Sequence, residues 1–221
     1  AGPFGYPDRF YGPYDGAGDV GDPKRVLEGA WERPLSVTYC GYVFVAQARS
    51  WLPSPVGGRM WLGLDKPSDT VFIPFHIGVN RLPSSVEVCD TTKFSRESAW
   101  WTFNFLANYA GLKYSYMHKE IADMQDQLEN GFLETLEIVE RKAVDLHRTN
   151  PAGARAYLTE FAERNTAVTL KQWWNLAEHL IVKYNDGLLT EGGKIGRPLG
   201  YPKEWLKTTS WPEGPTNYRK R

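Results

Sequence analysis

Between positions 117 and 146 an apolar residue returns at every third or fourth place: Met117, Ile121, Met124, Leu128, Phe132, Leu136, Val139, Ala143 and Leu146. That spacing draws one stripe along an α-helix. It cannot do so along a strand, where alternate residues share a face. The stretch predicts one long amphipathic helix, or two consecutive helices with Gly131 as the break, because glycine is costly inside a helix. So long a stripe needs covering by other elements, and the flanking sequence supplies candidates. Phe94-Ser95 ahead of Arg96–Trp101 predicts a serine N-cap preceded by an apolar residue, with a helix to about Tyr109 and Gly111 at its C-terminal end. Asn150-Pro151 reads as an N-cap with proline at the first helical position, opening a helix to about Arg164. A last helix is expected from about Val168 to Tyr184, stopped by Asp186-Gly187.

Ahead of the helices the pattern is that of strands. The run Tyr39–Ala46 is almost unbroken apolar, ends in Gln47 and Arg49, and reads as a strand over about 36–48 buried on both faces. A second strand is expected at about 58–64 and a third at about 71–75, joined as a hairpin through Asp65-Lys66-Pro67-Ser68. Pro74 marks an edge position, a strand end or a bulge. A short strand is expected at 86–89. The fold class is therefore α+β, a β-rich first half followed by a mostly helical second half. The chain divides into an aromatic, Gly- and Pro-rich loop segment (1–34, with one helical turn near 23–28), strands (35–94), a helical region (95–187) and an extended or mobile tail (188–221).

The 221 residues are 42% hydrophobic, enough for a sizeable core. Lys+Arg and Asp+Glu are both 26. That balance argues against nucleic-acid and membrane-surface partners, which attract basic excess. No apolar run approaches the roughly 18–20 residues of a membrane span, and no signal peptide is visible; the compartment stays open. Cys40 and Cys89 are either two buried thiols or one bridge.

Here a resemblance becomes specific. Cys40-x-Tyr42, Gln47-x-Arg49-Ser50-Trp51-Leu52-Pro53, Gly57-Gly58-x-x-Trp61, Ile73-Pro74-Phe75, Gly78, Pro83 and Phe94-Ser95-x-x-Ser98-Ala99-Trp100-Trp101-x-Phe103 occur in the order seen in one family. The chain resembles the C-terminal half of the C69 dipeptidases, which are N-terminal-nucleophile (Ntn) cysteine hydrolases. The resemblance runs over roughly Gly12 to Tyr184. It implies part of an αββα sandwich and cysteine-type amide hydrolysis of dipeptides. In that chemistry an N-terminal thiol attacks the carbonyl and its own α-amine moves the proton, with neither metal nor cofactor. This chain begins Ala1-Gly2-Pro3 and both cysteines are internal. The expectation is a C-terminal portion whose partner is the N-terminal half of the same enzyme, inactive alone, with homo-oligomerisation open. Two rival readings are a non-catalytic partner or regulatory subunit of the same ancestry, and a carbohydrate-binding or scaffold module suggested by nine Trp residues.

Arg49 is the candidate for a supporting catalytic role. Period two places it on one strand face with Gln47, Val45 and Val43. The resemblance implies an arginine beside the nucleophile, there to orient the thiolate, stabilise developing charge or fork a substrate carboxylate. The alternative is that Arg49 pairs with a buried Asp or Glu. Gln47, Trp51 and Trp61 are candidates for substrate binding, the tryptophans because they sit at strand mouths. Cys40 and Cys89 read as buried structural thiols, since no histidine shares a motif with either. His76 reads as a hydrogen-bonded structural residue. The aromatics Trp100, Trp101, Phe103, Phe105, Trp173 and Trp174 read as core. Glu178-His179 lacks a zincin's second histidine, and Thr190–Lys194 is a surface turn rather than a phosphate loop.

Overall fold

The computed structural model describes residues 35–37, 39–201, 203 and 207. The expected loop segment 1–34 and the last residues of the tail lie outside that range. Three antiparallel strands, β1 (Tyr42–Ala48), β2 (Gly58–Leu64) and β3 (Ile73–His76), form a sheet in the order β1-β2-β3. The expected β2–β3 hairpin is present, and Pro74 sits on a strand with one neighbour, where its missing N–H costs no ladder bond. The mixed α+β class read from the sequence is the one observed.

The first strand differs from expectation in length and in burial. It starts at Tyr42, and Phe44 and Val45 are 53% and 52% exposed. Among the described residues β1 is an outer strand paired along one side only, whereas β3 is buried along its whole length. The apolar run therefore marks a strand with uncovered faces, and apolar sequence alone does not distinguish that from a buried one. The expected strand at 86–89 is instead a helical turn, α2 (Ser84–Glu87), following α1 (Ser54–Gly57) between β1 and β2. Pro83 leads into it, and the Val86 N–H donates back to the Pro83 carbonyl at 2.9 Å.

Helix α3 (Ala99–Ala110) is capped by Ser98, not Ser95. The Ser98 hydroxyl accepts from the Trp101 N–H at 3.4 Å, while Ser95 closes a preceding turn by accepting from the Glu97 N–H at 3.2 Å. Gly111 follows α3 as expected. The apolar stripe forms one unbroken helix, α4 (Tyr114–Thr149), about 54 Å long at 1.5 Å per residue. Gly131 does not break it, because the burial of Leu128, Phe132 and Leu136 on either side outweighs a glycine's cost of about 1 kcal/mol. Asn150 caps the next helix as predicted, its side chain accepting from the Gly153 N–H at 2.9 Å. That helix, α5 (Pro151–Lys183), is continuous where two had been expected. Thr166, the weak helix former at the expected gap, is buried and returns its hydroxyl to the Ala162 carbonyl at 2.8 Å. Asp186 and Gly187, at φ 50° and 75°, end the helical run.

Beyond it the tail is not simply extended. β4 (Leu188–Glu191) and β5 (Lys194–Pro198) form a hairpin with Gly192 and Gly193 at φ 59° and 73°. Two consecutive left-handed residues give the tight turn that matches strand twist, so the glycines serve a surface turn.

The α4–α5 hairpin is antiparallel and carries two apolar clusters. One joins Ile73 and Phe75 of β3 to Phe103, Leu106, Met117, Ile121, Trp173 and Leu180. The other joins Val56 of α1 to Leu136, Val139, Ala143, Leu158 and Phe161. The helices thus hold the sheet by β3 and α1, and leave β1 outermost. Among the described residues no helix is long and apolar enough to cross a membrane.

Candidate functional site

At the C-terminal end of β1 the chain turns through Arg49. Its backbone N–H donates to the Gly57 carbonyl at 3.0 Å, so the α1 loop folds back over the strand end. The guanidinium then points at α4. Its Nη1 and Nη2 donate to the two carboxylate oxygens of Glu140 at 2.6 and 2.7 Å, a bidentate fork. Nη2 also donates to the Val56 carbonyl at 2.8 Å, and Nε to that of Gly57 at 3.3 Å. Four of the five N–H groups of the guanidinium are thereby engaged. A substrate carboxylate would have to displace Glu140 to be held by the same fork.

Glu140 gathers two further donors. Arg59 Nη1 reaches Oε1 at 2.9 Å, and His76 Nε2 lies 2.8 Å from the same oxygen. The cross-strand register brings them together, for Gln47 faces Arg59 and Arg59 faces His76 on one face of the sheet. His76 is buried, and its Nδ1 has no hydrogen-bond partner. A carboxylate has no hydrogen to give, so in this contact Nε2 donates to Glu140. Burial pushes the Glu140 carboxyl up, but the hydrogen bonds from His76 and Arg49 and the two arginine charges overcome it and hold the group at about 2.

Gln47 belongs to the same cluster. Its Oε1 accepts from Arg59 Nε and Nη2 at 3.0 and 2.7 Å and from Trp61 Nε1 at 2.9 Å. The Arg59 guanidinium lies 5.0 Å from the Trp61 ring centroid. With its carbonyl oxygen taken, Gln47 has its amide N–H groups for anything that approaches. Trp51 is 77% exposed and lines, with Arg49 and Glu140, an open recess of about 450 Å³. Of the four residues singled out from sequence, Gln47, Arg49 and Trp51 sit at one end of the sheet, and Trp61, in the middle of β2 rather than at a strand mouth, joins the network through its hydrogen bond to Gln47.

Sequence reasoning did not find Arg59 or Glu140. A signal was present for the second. Glu140 lies four residues after Leu136 and three before Ala143, so a carboxylate interrupts the buried stripe of α4. Such a residue needs a cationic partner, and the strand-end arginine was the one in want of an anion.

The opposite end of the sheet holds a second polar group. Asp65, Lys66 and Asp69 are buried in the turn between β2 and β3. Lys66 Nζ pairs with Asp69 Oδ2 at 2.6 Å, and His118 Nδ1 lies 3.1 Å from Asp69 Oδ1. Burial pushes the Asp65 carboxyl up to about 6, although the Asn104 amide and the Lys66 backbone and charge pull it down.

Both cysteines are free, which removes the bridge alternative, and neither is the buried thiol expected: Cys40 is partly exposed and Cys89 exposed. Cys40 Sγ donates to the Tyr42 carbonyl at 3.2 Å. Among the described residues no histidine hydrogen-bonds to either thiol; His76, His118 and His179 are engaged with Glu140, Asp69 and Glu120.

No curated protein matches the chain. Residues 5–127, more than half of its length, match the model of Peptidase family C69, and β1, β2, β3, Gln47, Arg49, Arg59, Trp61 and His76 all lie within the match. The chain belongs to peptidase family C69.

Proposed function

We propose that this chain is part of a cysteine-type amide hydrolase of the Ntn class that cleaves dipeptides. Its nucleophile is an N-terminal cysteine distinct from Cys40 and Cys89. The observation that carries this reading is membership of a peptidase family through the segment that builds the sheet. In support, neither thiol has a hydrogen-bonded histidine to activate it, and cysteine nucleophiles need such a partner or their own α-amine. The sheet is this chain's share of an αββα sandwich. The edge of β1 that no described strand pairs with receives the strands of the nucleophile-bearing N-terminal half.

Within that enzyme Arg49 acts from the end of β1. Glu140 fixes its plane, and the guanidinium adds positive charge where the tetrahedral oxygen or the thiolate develops. Gln47 offers amide N–H groups beside it, and Trp51 and Trp61 wall the substrate. The test is hydrolysis of a dipeptide panel by the chain alone and with the N-terminal half supplied in cis or in trans. Turnover requires that half, and Cys40→Ala leaves it unchanged. Turnover by the chain alone that Cys40→Ala abolishes overturns the proposal.

A further inference from the structure

The end of the sheet remote from Arg49 carries a cleft that the network above does not use. Tyr42 and Ala48, at the two ends of β1, are about 20 Å apart at 3.4 Å per residue. Tyr42 and Leu64 form one wall of the cleft, Val86 of α2 another, and Trp100, Asn104 and Asn108 of α3 a third. Its volume is about 800 Å³, within the range of small-molecule sites. Among the described residues that line it, none is Lys, Arg, Asp or Glu.

The sequence of α3 explains the wall. Phe103, Leu106, Ala107 and Ala110 bury one side of the helix in the core. Positions 100, 104 and 108, four apart, form a stripe on another side. That stripe carries one indole and two carboxamides, and the carboxamides are fixed. Asn104 Nδ2 donates to the buried Asp65 Oδ1 at 2.9 Å. Asn108 Nδ2 donates to the Asn104 carbonyl at 2.8 Å and to Asn104 Oδ1 at 3.1 Å. Both hydrogens of Asn108 are thereby spent, which leaves its Oδ1 as an acceptor. Asn104 keeps its second amide hydrogen as a donor. The segment after α2 is pinned to the same helix, for Trp101 Nε1 donates to the Asp90 carbonyl at 2.9 Å and the Phe94 ring lies 5.4 Å from that of Trp101.

The fixed carboxamide donor and acceptor of α3, in a cleft also lined by the Tyr42 and Trp100 rings and by Leu64 and Val86, complement a peptide amide beside a large side chain. We propose that this cleft binds the aromatic or large apolar side chain of a peptide together with its adjacent uncharged amide. The choice of a peptide as ligand rests on the peptidase reading above. A charged terminus is disfavoured there, because nothing in the wall offers a counter-charge.

Binding can be measured without hydrolysis, by following backbone and side-chain amide resonances of the whole chain during titration. The probes are N-acetylphenylalaninamide, N-acetylalaninamide and zwitterionic phenylalanine. The first shifts the Asn104 and Asn108 side-chain resonances and binds at least tenfold more tightly than the other two. Tyr42→Ala and Asn108→Leu, both at exposed positions outside the core, each weaken it by about tenfold, the loss of one stacking or hydrogen-bonding partner. Equal affinity for the three probes, or unchanged affinity in both variants, overturns the assignment. Binding with no dipeptide turnover under the assay above leaves the cleft standing and defeats the enzymatic reading. Turnover without this binding defeats the cleft alone.

Discussion

Replacing Glu140 with glutamine tests whether the Arg49 cluster is a fixed unit. The change is nearly isosteric, yet it turns an anion that accepts four hydrogen bonds into a neutral amide with one acceptor oxygen. Arg49 and Arg59, with side chains 14% and 10% exposed, lose their shared counter-charge. An NH₂ placed where Oε2 stood also opposes Arg49 Nη1, which lies 2.6 Å from that oxygen. Removing one partner of a buried ion pair costs about 3–5 kcal/mol. Because these side chains keep a sliver of water contact, the lower bound applies, about 3 kcal/mol. For a chain of this size that lowers Tm by about 6–12 °C. The depressed Glu140 carboxyl supplies stability that is complete above its unfolded value near 4.5 and disappears as pH falls through about 2. Glu140→Gln therefore also flattens the acid limb of the stability curve. Urea denaturation of both proteins at pH 7 and at pH 3 measures the two effects. A midpoint shift worth less than about 0.5 kcal/mol at pH 7 would show that the cluster is solvated ion pairing with no structural weight.

Three further outcomes are expected. Asp65→Asn removes a pH slope of the opposite sign: with its carboxyl raised to about 6 by burial, Asp65 favours the fold when protonated. Wild-type stability thus falls by an order of 2–3 kcal/mol as pH rises from about 4 through 6, and a variant retaining that slope would rule out Asp65 as its source. Gly131→Ala stabilises the chain by about 0.5–1 kcal/mol, since an added Cβ there meets nothing within 4 Å and the helix continues through it; a lower thermal midpoint would contradict this. The exposed β1 strand is expected to make the isolated chain self-associate, and Phe44→Lys to lower its apparent mass in light scattering; a monomeric wild type or an unchanged mass in the variant would show that β1 is not a surface of association.

Helical sequence was legible wherever periodicity and caps agreed. The stripe from Met117 to Leu146 and the Asn150-Pro151 start both appear in the structure because each depends on local geometry. The interruption expected between Arg164 and Val168 does not appear, since Thr166 faces the core and tertiary burial overrides a weak propensity. The cap read at Ser95 lies instead at Ser98, because the path of the incoming loop, which sequence does not record, turns at Ser95 before the helix begins. β1 was legible as a strand but not as an exposed one, because apolar composition records that a surface is to be covered and not what covers it. At the candidate site, Gln47 and Arg49 could be grouped by strand period, whereas Trp61 joins them from the neighbouring strand through cross-strand pairing. Glu140 could not, as it lies 91 residues from Arg49 and meets it through the packing of α4 across the sheet.

The separations closed by Glu140 also bear on the order in which the structure comes apart. α4 and α5 are joined by Asn150 alone, so their mutual contacts need little loop closure. Glu140 reaches His76, Arg59 and Arg49 across 64, 81 and 91 residues. Contacts of such range carry a larger entropic cost of closure and belong to the later-formed part of a fold. The helical hairpin is then the cooperative unit that persists, and the segment from β1 to β3 is the unit that detaches from it. Amide protons of β1 accordingly exchange through partial opening, at a lower free energy than those around Leu136 and Phe161, which exchange only when the whole chain unfolds. An outer strand that opens more readily than its scaffold is also one that can accept a partner strand without disturbing the helices beneath it.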